Sequence, residues 1–346
     1  MGTFQIMVAT MPIMATMSTM AIETILTLPE SPLTPFLARF PAVILDGGLA
    51  TELERRGADL ADPLWSARVL VEAPELIHQV HLDYFLAGAD VATTASYQAT
   101  FAGFAGRGIG REEAADLLRL SVSLAERARD DFWSDPRHRT DRIKPLVAAS
   151  IGSYGAQLAD GSEYRGDFGL SVAALVDYHR PKLAVLADSG ADLVAFETIP
   201  SLAEGEAIVR LMAEFPLTRA WLSFSCGDER HVCHGEPLAE CVALADGVEQ
   251  IAAVGVNCTA PEFIIGLLEA ARQVTRKPLV AYPNRGDAWD SRTRHWVPDV
   301  ADVDWDDLAR AWHAAGARLI GGCCRTAPED VRAIRAALIP VNVNPG

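Results

Sequence analysis

From Pro41 onward, short apolar runs alternate with longer stretches of helical spacing. The candidate strands are 42–45, 90–94, 146–149, 193–196, 220–224, 252–256, 279–282 and 318–320. Several are nearly continuous in apolar residues, as parallel strands buried on both faces require. Helical spacing fills 76–86, 111–132, 171–187, 202–214, 262–274, 304–315 and 328–338, and several of these open on Pro or an acidic residue. Eight strands alternating with helices predict a (β/α)8 barrel, one domain over residues 39–340. A doubly wound open sheet is the alternative arrangement of the same elements.

The loops then single out one face. Long polar connections at 152–169, 226–237 and 283–304 all leave the carboxyl ends of candidate strands. In a barrel, that end carries the active site. Residues 1–38 stand apart: Met1, Met7, Met11, Met14, Met17 and Met20 crowd a segment with no Lys or Arg. It has neither the charged start of a signal peptide nor, with Ile6, a myristoylation pattern. It is expected to be a disordered tail or a start placed too far upstream.

Cysteine placement points to a metal. Cys258 follows the run 252–256, and Gly321-Gly322-Cys323-Cys324 follows 318–320. Adjacent side chains on a strand face opposite ways, so Cys323 and Cys324 can share one ion only where the strand yields to a turn. The two glycines permit that turn. Three thiolates suit Zn²⁺ and leave a fourth position open for a substrate. A second set, Cys226, His231, Cys233, His234 and Cys241, has metal-like composition but matches no familiar ligand spacing.

Two carboxylates end strands on the same face: Asp46 before Gly47-Gly48, and Glu197 after Phe196. Each is either a helix cap or part of a clamp for a cation such as an amino acid's ammonium. Trp65, Tyr97, Tyr154 and Tyr164 could offer ring faces to a sulfonium or ammonium. No phosphate-cradling glycine loop is present. A net charge of −16 without a basic cluster disfavours nucleic acid and anionic membrane. No apolar stretch approaches the roughly 20 residues of a membrane span, and six cysteines in 346 residues fit a reducing, cytoplasmic setting.

The stretches 45–53, 94–100, 255–258 and 321–326 together resemble the homocysteine S-methyltransferases. The stretches 159–166, 179–181 and 282–284 are similar to the S-methylmethionine-dependent branch of that family. The resemblance runs from Ala42 to about Leu338. Arg285 after Asn284, and the His- and Cys-rich loop 228–236, depart from it.

What the resemblance implies is a barrel with zinc on Cys258, Cys323 and Cys324, which carry the catalysis. Homocysteine's amino group would lie near Asp46 and Glu197, with the methyl donor beside Trp65. Asn257 and Tyr97 complete the implied substrate-binding set. The implied reaction is methyl transfer from a sulfonium, S-methylmethionine or S-adenosylmethionine, to homocysteine, giving methionine. The same barrel using betaine, or a zinc or redox switch without catalysis, would share these residues. A monomer or small homo-oligomer is expected.

Overall fold

A computed structural model describes residues 27–60, 66–158, 160–286, 288–290, 295–297 and 303–339. Trp65 and residues 1–26 of the Met-rich leader lie outside the described residues. The strands are β1 (Val43–Ile44), β2 (Val91–Thr93), β3 (Leu146–Gly152), β4 (Leu193–Ile199) and β5 (Ala220–Phe224). They continue with β6 (Ile251–Asn257), β7 (Leu279–Tyr282), β8 (Ala288–Asp290), β9 (His295–Val297) and β10 (Ala317–Ile320).

Eight of them form one parallel sheet in the order β1-β10-β7-β6-β5-β4-β3-β2. Its two edges meet: Leu45 bridges Val91 in parallel, and Asp90 N donates to Ile44 O at 2.6 Å. The sheet is therefore a barrel, and the open-sheet alternative is discarded. All eight strands lie where the apolar runs predicted them. The loop after β7 holds a feature that its polarity concealed, because β8 and β9 pair as an antiparallel hairpin.

Side-chain alternation divides the core in two. One cluster packs the outer faces of the strands against the helices. The other fills the lumen with Val43, Leu45, Val91, Leu146, Ala148, Leu193, Ala195, Trp221, Ala253, Val280 and Leu319. Leu33, Phe36 and Phe40 belong to that inner cluster, and helix Thr34–Arg39 carries Phe36 into it. The expected domain start at residue 39 is therefore too late. A barrel open at its lower end would expose its apolar lumen to water, and residues 33–40 supply the plug.

Extending the same alternation two residues up β3, β4, β5 and β7 replaces apolar residues with polar ones. Ser150 follows Ala148, Glu197 follows Ala195, Ser223 follows Trp221, and Tyr282 follows Val280. Period two thus builds a polar layer directly above the apolar plug.

Candidate active site

The three cysteines converge. Among the described residues, Cys258, Cys323 and Cys324 form the one group of three potential ligands whose donor atoms all lie within 4.8 Å of one another. Cys258 Sγ and Cys324 Sγ are 3.9 Å apart. Tetrahedral zinc with bonds of about 2.3 Å sets its sulfurs about 3.8 Å apart, so the cluster fits that ion.

Turns rather than strands aim these thiols. Cys258 leaves β6 in a left-handed conformation, φ +47°, with its N–H on Tyr282 O at 3.2 Å. Cys323 N donates to Pro283 O at 2.8 Å, Cys324 N to Asn284 Oδ1 at 3.2 Å, and Arg325, φ +69°, to Thr51 Oγ1 at 2.9 Å. The loop after β7 and the helix after β1 therefore hold the vicinal pair in place.

Gly322 is needed for space. A Cβ there would sit 2.4 Å from Thr326 Oγ1 and 2.5 Å from Thr326 Cγ2, while Thr326 Oγ1 itself holds Cys323 O at 2.6 Å. Gly322→Ala is expected to destabilise the protein by about 1–3 kcal/mol and loosen the metal, since overpacking must displace Thr326. Thermal unfolding and metal content together would check this. An unchanged melting temperature would show that the turn can yield.

Hydrogen bonds from Cys323 and Cys324 hold the Cys258 thiol well below the usual range, and Thr198 and Tyr164 assist against the cost of burial. The same contacts, with burial, push Cys323 and Cys324 up. Without metal, Cys258 is thus the thiol that ionises most readily. A divalent cation would let all three ionise.

The polar layer borders a solvent-open pocket of about 720 Å³, lined by Thr93, Tyr97, Glu197, Thr198, Tyr282, Cys323 and Cys324 among others. Glu197 is buried, accepts from Ser150 Oγ, and accepts from Tyr282 OH at 3.0 Å. Burial pushes its carboxyl up to about 7, helped by the charge on Cys258 and opposed by those two hydrogen bonds and by Lys182. Neither Glu197 nor Asp46 caps a helix, which removes the competing explanation for both.

Asp46 sits one layer back. Gly47 and Thr93 line the pocket beside it, and its carboxylate accepts from Thr93 N at 2.8 Å and Thr93 Oγ1 at 2.9 Å. Burial raises its carboxyl to about 8, opposed by the Thr93 bonds and aided by Glu197. Between about pH 4 and pH 8 the native state therefore keeps a proton that the unfolded chain releases. Stability is lost as pH rises through that window. In metal-free protein, Asp46→Asn is expected to raise the melting temperature by an amount that grows from pH 5 to pH 8 and then levels off. An offset independent of pH would contradict this.

Several contributors were invisible as motifs. Ser150, just past the run 146–149, and Ser223 and Tyr282, inside the runs 220–224 and 279–282, could have been found by following the period-two pattern along each run. Lys182 could not: it lies in helix Val172–Ala187, yet it is buried and donates to Ser96 O at 2.5 Å and Tyr97 O at 3.0 Å. Burial pushes its amine down to about 7. His179, in the same helix, meets Glu204 Oε1 at 2.8 Å, and that oxygen also accepts from Tyr154 N at 2.6 Å. The helix thus anchors both the Tyr97 segment and the start of the loop after β3.

Glu163, in that loop, presents an Oε2 that is buried without a hydrogen-bond partner among the described residues. The loop with Cys226 and Cys233, and Cys241 in the helix Leu238–Asp246 that follows, do not form a second metal group among the described residues. There His231 Nδ1 pairs with Asp228 at 3.0 Å and His234 Nδ1 with Glu236 at 2.8 Å. Asn257, expected to bind substrate, has its amide turned onto neighbouring protein groups (below).

Comparison with known proteins gives a consistent result. A family model described as homocysteine S-methyltransferase matches residues 43–338. Homocysteine S-methyltransferase YbgG of Bacillus subtilis (strain 168) is 52% identical over 306 residues, covering 88% of this chain and 97% of the relative. Selenocysteine Se-methyltransferase of Brassica oleracea var. italica is 47% identical, with 86% and 88% covered. The metallated form of the homocysteine methyltransferase MmuM from Escherichia coli superposes with a TM-score of 0.80 at 47% identity. That match covers 88% of this chain and 99% of the other.

Proposed function

The chain belongs to the homocysteine S-methyltransferase family, and on that premise we propose that it moves a methyl group from S-methylmethionine to homocysteine in a zinc-dependent reaction. The enzyme is a methyltransferase. The observation that carries the finer reading is the three-thiol cluster beside a pocket walled by the buried Glu197 carboxylate, with Asp46 behind it. The metallated state of the Escherichia coli relative supports the metal.

Cys258, Cys323 and Cys324 would hold zinc, which when bound keeps a substrate thiol ionised at neutral pH and near the pocket. The remaining work falls to the protein. Glu197 on the wall, with Asp46 behind it, would hold homocysteine's ammonium. Arrival of that cation favours the ionised form of both carboxyls, whose burial otherwise keeps them high.

Homocysteine's sulfur attacks the donor methyl in line. One S–CH₃ bond forms, the old CH₃–S⁺ bond breaks, and its electron pair leaves on a neutral thioether. No proton is needed by that leaving group, so no general acid is required. The protein's contribution is alignment and charge, and alignment alone supplies several kcal/mol in well-oriented reactions.

Charge also selects the donor. Glu163 Oε2, buried and without a partner among the described residues, would meet a cationic donor, with its carboxyl pushed up to about 7 by burial and by nearby Cys258. Tyr97 and Tyr164 share that neighbourhood and could present ring faces to a sulfonium. Trp65 remains a proposed donor contact. No helix among the described residues is long and apolar enough to cross a membrane, and free thiols suit a reducing cytoplasm.

The test is to incubate the protein with homocysteine and S-methylmethionine and count methionine by mass spectrometry, beside a zinc-stripped sample. Two methionines per turnover, lost with the metal and restored with zinc, would support the whole reading. No product from folded, zinc-loaded protein would move the donor to S-adenosylmethionine or betaine.

A further inference from the structure

Asn257 ends β6 one residue before Cys258 and is fully buried. Its Oδ1 accepts from Thr198 N at 2.7 Å and from Ser223 Oγ at 2.8 Å. Its Nδ2 donates to Thr198 Oγ1 at 2.8 Å. A backbone N–H can only donate, so the amide oxygen must face Thr198 N and the amide nitrogen must face the Thr198 hydroxyl. That hydroxyl accepts from Asn257 and keeps its own proton to give away. The Cys258 sulfur and the Tyr97 hydroxyl both lie within its reach, and a thiolate is the stronger kind of acceptor.

The backbone around this amide is strained. Thr198 has φ +60° and Cys258 has φ +47°. A β-branched residue in the left-handed region is a true outlier, which persists only where the surroundings hold it. Thr198 lies near the end of β4 and Cys258 just past β6, with β5 between them, and Asn257 joins the two.

A second arm runs from the same amide to the clamp. Ser223 Oγ meets Tyr282 OH at 2.7 Å, and Tyr282 OH meets Glu197 Oε2 at 3.0 Å. With Ser223's proton on Asn257, Tyr282 gives its own to Ser223 when the Glu197 carboxyl is protonated and to Glu197 when that carboxyl is ionised. Glu197 directly precedes Thr198 in the chain. The hydrogen bonds therefore leave Glu197 through its carboxylate and return to it through its own backbone.

We infer that Asn257 is a positioning residue, which through Thr198 and Ser223 fixes the Cys258 sulfur and the Glu197 carboxylate in one shared geometry. The inference rests on the zinc and clamp assignments proposed above. It replaces the expectation that Asn257 touches substrate. One side chain would then set the spacing between the two points that homocysteine must bridge, thiol at one end and ammonium at the other.

The test measures zinc release to a chelator and the KM for homocysteine, alongside the melting temperature. Asn257→Ala is expected to release zinc and lose homocysteine affinity by about 10-fold or more each, as groups that orient metal ligands do. Thr198→Gly keeps a residue suited to positive φ but deletes the hydroxyl, and it should release zinc about 10-fold faster. Thr198→Ser, which retains the hydroxyl, should restore the parent's rate.

An Asn257→Ala protein with a lower melting temperature but unchanged zinc release and KM would overturn the inference. Should that variant fail to fold, equal zinc release from Thr198→Gly and Thr198→Ser would overturn it instead. A parent protein that holds no zinc at all would remove the metal assignment itself, and the inference with it.

Discussion

Cys323→Ser is expected to abolish both zinc retention and methyl transfer. Serine fills nearly the same space, but its hydroxyl does not ionise at neutral pH. Cys258 and Cys324 would then be left as a two-thiolate site, although the pair remains 3.9 Å apart. The turn that presents the residue should survive, because its backbone bond to Pro283 O does not involve sulfur. Loss of the metal's contribution, several kcal/mol, corresponds to a rate drop on the order of 1000-fold. Metal content after dialysis and single-turnover methionine formation would be read on the same sample. An active, zinc-replete variant would remove Cys323 from the ligand set.

Glu197→Gln should act on the other end of the substrate. The glutamine keeps a carbonyl for one of the two hydroxyls, Ser150 or Tyr282, that Glu197 accepts on separate oxygens. Its amide nitrogen donates to the other, so that hydroxyl must turn but the polar layer stays filled. What disappears is the negative charge that an ammonium would meet in a buried setting. Truncating one partner of such a pair costs roughly 2–4 kcal/mol, or about 30- to 1000-fold in kcat/KM. Most of that should fall on the KM for homocysteine, with a part on kcat if the sulfur loses its alignment. Zinc retention should not change, which separates this variant from Cys323→Ser. A homocysteine analogue lacking the amino group should show no difference between parent and variant. Unchanged kinetics with homocysteine itself would take Glu197 out of the clamp.

Much of the architecture was legible because parallel barrel strands are buried on both faces. That burial turns each one into a short apolar run, and β5 and β7 have the same bounds as the runs that predicted them. The thiol cluster was legible for a related reason: Cys258 and the Gly-Gly-Cys-Cys run both lie just past such runs, hence at one end of the barrel. The N-terminal plug was not, because Leu33, Phe36 and Phe40 sit in a short segment next to a compositionally odd leader. Their apolar character has meaning only once the open lumen beneath β1 is known.

Asn257 marks the limit of motif reading. An asparagine beside a metal ligand looks like a substrate contact, and only the left-handed turns at Thr198 and Cys258 show its amide to be occupied. Lys182 is similar: a lysine on an outer helix is expected in water, yet this one reaches the carbonyls behind Tyr97.

The sequence by itself determined the barrel, the face that carries chemistry and the residue types available there. Those follow from hydrophobic period and order along the chain, which are local properties. Tertiary structure alone decided which side chains meet. Charge sharing among three thiols, the raised carboxyls of Asp46 and Glu197, and the hydrogen-bond ring through Asn257 all depend on distances between strand ends far apart in sequence, in surroundings where burial makes every unpaired charge costly.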